Sequence, residues 1–139
     1  MSVERLREEV EFGLSNLNMV YDAIVRFAST DMDERVKTSA ISYECIGYYN
    51  ALEHLFIRFL KYIRGSVPSG QSSHRDILLA FEQLFALYKV ECSSHTRDMI
   101  RNLMAFRHVA TKIYGFLIDW GKLSVIVEEI RTTIGRSYN

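Results

Sequence analysis

The chain has 139 residues, 48% hydrophobic and 24% charged, which suits a soluble protein that buries its own core without staples and argues against disorder. Lysine plus arginine and aspartate plus glutamate stand at 17 each, so no global field draws in nucleic acid, and any RNA or DNA contact has to come from a local basic face. No run approaches the roughly 18 apolar residues of a membrane span.

The opening MSVERLREEVEF is charged throughout and lacks the apolar stretch of a signal peptide. Leu6, Val10, Leu14, Leu17, Tyr21, Ile24 and Phe27 then recur every three or four residues and predict a long first helix with this face inward. Asp31, followed three residues later by Glu34, reads as a capping box opening a second helix. Ile41, Cys45, Tyr49, Leu52, Phe56, Phe59, Leu60 and Ile63 form its apolar arc. RGSVPSGQSS, residues 64–73, gathers the strong helix breakers and the only proline into one long loop. Ser73 with Asp76 can cap a third helix reaching about Tyr88. Ser93 or Ser94 can cap a fourth from about Thr96 towards Leu117, and Asp119 a short fifth through KLSVIVEEI. The expected fold is all-α, a four- to five-helix up-and-down bundle forming one domain over residues 1–139.

Cys45 and Cys92 stand apart, without a CxxC, and are expected as buried thiols in a reducing cytoplasm. A helical frame also invites a di-iron centre, which needs inward Glu-x-x-His pairs. Glu53 is followed directly by His54, and Glu91 reaches His95 only four residues on. Neither spacing fits, so no metal or other cofactor is expected.

The fourth helix breaks the pattern of the others. On a wheel at about 100° per residue, Met99, Leu103, Phe106, Ala110, Ile113 and Leu117 share one face, with Ile100 beside them. Arg97, Arg101, His108 and Lys112 make a basic stripe on the opposite side, the pattern of a solvated face. Arg107 and Tyr114 lie along one edge of the apolar arc, seven residues apart, and Asn102 lies at the other. A guanidinium taken largely out of water costs several kcal/mol unless paired. Two readings follow for Arg107: an ion pair within the chain, Glu53 being one candidate, or an anion bound in a crevice or at a second subunit, since the planar fork of arginine matches phosphate.

FRHVATKIYGFLIDWGKL, residues 106–123, resembles the C-terminal signature of the HEPN superfamily, and of HepT-like ribonuclease toxins in particular. There an arginine, a polar residue, three further positions, a histidine, one position and a tyrosine form R-x4-H-x-Y, followed by an acidic residue and an aromatic. In this register Arg107 matches the arginine, His108 the polar residue, Tyr114 the tyrosine and GFLIDW the tail. YYNALEHLFIRFLKYI and VPSGQSSHRDIL, within residues 48–78, resemble the second helix and following loop of one branch of these proteins. Lys112 stands where the register has the catalytic histidine. A second frame, RNLMAFRH, satisfies the looser superfamily pattern with Arg101, Asn102 and His108; Arg101 and His108 are two turns apart, about 10.5 Å along the axis.

The resemblance implies a homodimer in which arginine and histidine from two protomers converge and RNA is cleaved without metal. It also implies a companion minimal nucleotidyltransferase, an antitoxin that transfers AMP to the motif tyrosine, here Tyr114. Lysine supplies positive charge, but with an ordinary pKa of about 10.4 it is a poor base at neutral pH unless burial lowers that value. The expectations are therefore a toxin-type, RNA-acting protein, either a metal-independent endoribonuclease or a catalytically weakened homologue. The alternative is a non-catalytic dimeric scaffold that binds a nucleotidyltransferase or a nucleotide.

Overall fold

The computed structural model describes residues 2–112 and 118–138, the side chains of 135–138 excepted. Those residues form five helices: α1 (Val3–Ser29), α2 (Glu34–Arg64), α3 (Ser73–Leu87), α4 (Ser94–Lys112) and α5 (Trp120–Tyr138). The protein is an all-α helical bundle, as the 3.6-residue periodicity predicts. Among the described residues no helix is long and apolar enough to cross a membrane.

The chain divides into two compact units, each built from separated segments. One comprises Met1–Asn18 and Asn50–Cys92, the other Met19–Tyr49 and Ser93–Asn139. The core of the first holds Leu6, Leu17, Leu55, Phe56, Leu60, Ile77, Leu78 and Leu84. Phe81 joins three neighbours there: it stacks on Phe56 at 4.3 Å between ring centroids, meets Phe85 edge-on at 5.1 Å and lies tilted against Phe59 at 5.9 Å. Aromatic pairs of this geometry add about 0.5–1.5 kcal/mol each beyond the area they bury.

Leu14 departs from the expected face of α1, being 49% exposed. The inward position at that level belongs to Gly13, where a Cβ would overlap the isobutyl group of Leu55. Leu14 is one residue, and so about 100°, further round the helix. The close approach of α1 and α2 at Gly13 turns it away from the core.

The second unit is centred on Ile24, Ile41, Cys45, Tyr49, Leu103, Leu123 and Ile130, all fully enclosed. α4 and α5 pack together: α4 buries Met99, Ile100, Leu103 and Phe106, and α5 buries Leu123, Val127, Ile130 and Thr133 at helical spacing. Each large aliphatic side chain so enclosed contributes on the order of 1.5–3 kcal/mol.

Three helix boundaries differ from expectation. The residue that caps α2 is Asp33, not Asp31: its Oδ2 accepts from Arg35 N at 3.1 Å and Val36 N at 3.3 Å, satisfying N–H groups of the first turn. α3 starts after Ser72, whose hydroxyl donates to Asp76 Oδ2 at 2.9 Å rather than accepting from the backbone. α5 is not short but runs for 19 residues, because buried Thr133 continues the inward spacing of Val127 and Ile130. Ser93 and Asp119 cap as their sequence positions predict, accepting from Thr96 N at 3.1 Å and Lys122 N at 2.8 Å.

Candidate functional site

α4 sorts its side chains by face. With Met99, Leu103 and Phe106 turned inward, the opposite side must face solvent, and Arg97, Arg101, His108 and Lys112 are all exposed there. Arg107 falls between the two faces and is half-buried. A charge at such a half-buried position is screened less than one at the open surface. α4 thus carries Arg101, Arg107, His108 and Lys112 over about three turns, with the backbone of the last turn braced by Thr111, whose hydroxyl donates to the Arg107 carbonyl at 2.8 Å.

Asn102 sits on the edge facing α5. Its Nδ2 donates to both carboxylate oxygens of Glu129, at 3.1 and 2.9 Å, a polar clasp between α4 and α5. His95 makes a second such link, its Nε2 lying 3.2 Å from Thr132 Oγ1. Glu53, the carboxylate considered for Arg107, belongs to the first unit and meets His74 Nδ1 at 2.7 Å. Tyr114 lies outside the described residues, as do Ile113 and Leu117.

The tail that follows the motif has a structural task of its own. Asp119 caps α5, and Trp120 opens that helix with the Lys37 ammonium 5.5 Å from its ring centre. Glu34, Arg35, Thr38 and Ser39 of α2 line a cleft of about 370 Å³ with Ile118, Asp119 and Trp120. Among the described residues, no three His, Cys, Asp or Glu side chains are grouped as a metal ion would need.

Chemically, the α4 face can bind and neutralise a phosphodiester through arginine and lysine. It also presents one imidazole, that of exposed His108. The register position of the catalytic histidine is occupied by exposed Lys112.

The profile of the family described as HepT-like protein matches residues 40–136. The chain belongs to the HepT-like family. The match runs from within α2 to the last turn of α5 and takes in all of α3 and α4. It therefore covers every residue of the α4 face, whereas α1 lies outside it. HepT-like membership agrees with the resemblance carried by Arg107, Tyr114 and the GFLIDW tail. Comparison with curated proteins and with solved structures gave no match.

Sequence reasoning passed over one group of polar side chains. Glu9, Asn16, His54 and Arg58 meet in a cleft of the first unit, brought together by two helices far apart in the chain. The available signal was weak: Phe12, Asn16 and Met19 share one side of α1 although the helix has its apolar face elsewhere.

Proposed function

We propose that this HepT-like protein is the RNA-acting member of a toxin–antitoxin pair, a metal-independent endoribonuclease whose proton-transfer step is weakened. The observation that carries this reading is the family match across α4, combined with a half-buried Arg107 flanked on the same helix by exposed His108 and Lys112.

In this reading the reaction is a transesterification within RNA. A ribose 2′-oxygen attacks the adjacent phosphorus, its proton passes to a base, and the 5′-oxygen of the next nucleotide leaves and takes up a proton. The products are a 2′,3′-cyclic phosphate and a 5′-hydroxyl. Arg107 stabilises the charge that builds on the non-bridging oxygens, the kind of contact worth ~10²–10³ in rate. Lys112 adds positive charge where the motif has its histidine. His108 is the group on this face suited to move the proton. One α4 cannot surround a phosphate, so the working site is formed by two copies of the chain, in the cytoplasm. Tyr114, in the register of the motif tyrosine, is the acceptor for AMP from a cognate minimal nucleotidyltransferase.

Lys112 also favours a second reading, in which catalysis is lost and the dimer serves as a scaffold for a nucleotidyltransferase or a nucleotide. Incubation of the purified protein with tRNA separates the two. Cleavage that falls at least ~100-fold in Arg107→Ala supports the enzyme. Intact tRNA at micromolar protein supports the scaffold.

A further inference from the structure

The cleft of the first unit lies between the N-terminal half of α1 and the C-terminal half of α2, and has a volume of about 510 Å³. That is within the size range of small-molecule sites, roughly 300–1,000 Å³. Gly13, Ala51 and Leu55 are among its lining residues, and Gly13 lies close against the Leu55 side chain. Phe12 stands at the rim with 71% of its surface exposed. An aromatic ring so placed is open to stack against a flat ligand.

The polar groups of the wall are already organised. Arg58 directs Nε towards Glu9 Oε2 at 3.5 Å and its Nη2 towards His54 Nε2 at 3.1 Å. The guanidinium donates, so His54 accepts at Nε2 and keeps its proton on Nδ1. Glu9 is flanked on its other side by Arg5, at 3.7 Å. With Glu8 also in the wall, carboxylates and guanidiniums nearly balance, and the one cleft-lining arginine is engaged by both Glu9 and His54. A phosphate entering here would meet two carboxylates and an occupied guanidinium. The half-buried Asn16 adds a carboxamide, which offers a donor and an acceptor side by side.

We propose that this cleft binds an uncharged, flat heteroaromatic ring, a nucleobase, stacked on Phe12 and held at its edge by Asn16 and the His54 Nδ1–H. A carboxamide pairs bidentately with the adjacent donor and acceptor of adenine, so adenosine is the first probe. The site uses none of the α4 residues and does not depend on the ribonuclease reading. The base has two possible sources, a free nucleoside or an unstacked base in single-stranded RNA.

The test is titration of adenosine and of AMP into the full-length protein, followed by NMR shifts of residues 8–16 and 50–58. Adenosine is expected to move resonances on both segments and to bind more tightly than AMP. Base–aromatic stacking predicts about a tenfold loss of affinity in Phe12→Ala, a substitution of an exposed residue, with a further loss in Asn16→Ala. Competition by a short oligoadenylate would assign the base to RNA; failure to compete would assign it to the free nucleoside. The proposal is overturned by no shift at millimolar adenosine, by equal affinity in Phe12→Ala, or by tighter binding of AMP. Shifts at these residues that follow protein concentration rather than ligand would also overturn it, because a second copy would then fill the cleft.

Discussion

Single residues show how burial sets chemistry. Cys45 is fully enclosed, and burial, helped by the charge of Glu44, pushes its thiol up from 9.0 to about 12. At neutral pH it is therefore an inert core thiol, whereas Cys92 is only half-buried. A thiol reagent under native conditions is expected to label Cys92 quickly and Cys45 only after denaturation. The same shift has a pH sign. The unfolded thiol ionises first, so the contribution of Cys45 to stability is complete below about pH 9 and is lost as pH rises towards 12. Urea midpoints measured at pH 8 and pH 10.5 are expected to fall more in wild type than in Cys45→Ala. Lys89 carries another local cost. It adopts φ 55 at the end of α3, where Val90 N bonds the Phe85 carbonyl at 2.8 Å and Lys89 N the Ala86 carbonyl at 3.3 Å. This closing turn favours glycine, and Lys89→Gly is expected to raise stability by about 0.5–1 kcal/mol, seen as a melting point a few degrees higher.

At the scale of elements, caps decide where helices start. The Asp33 carboxylate serves two N–H groups of α2, and Asp33→Ala is expected to cost about 1 kcal/mol in a denaturant titration, while Asp31→Ala costs little. The helices themselves were legible in the sequence because apolar spacing is a property of one segment: the inward face of α4, with Met99, Leu103 and Phe106, is read directly from it. Boundaries were less so, since Asp31, Asp33 and Glu34 are all competent caps and only backbone geometry selects among them. Thr132, Thr133 and Gly135 diluted the α5 pattern, and its full length emerged only because Thr133 is buried. The edge position of Arg107 was legible for the same reason as the α4 core. The Asn102–Glu129 clasp and the Glu9–Arg58–His54 array were not, because each joins helices that no single-segment periodicity relates.

For the whole molecule, the central claim is that a helix held rigidly by its buried face presents Arg107, His108 and Lys112 to an RNA phosphate at a site completed by a second copy. Sedimentation of the purified protein is expected to give a dimer at micromolar concentration, and a monomer there would leave the site incomplete. The claim is tested most directly by the pH–rate profile of tRNA cleavage for wild type, Lys112→His and the double variant Lys112→His/Arg107→Ala. If the proposed reaction holds, placing an imidazole at position 112 beside that of His108 is expected to raise the rate at pH 7 by at least about tenfold, within the range of general acid–base catalysis. The profile should then turn near the ordinary histidine pKa of about 6.5, and the gain should disappear when Arg107 is removed. A Lys112→His protein no faster than wild type, or a gain that survives Arg107→Ala, would contradict the account.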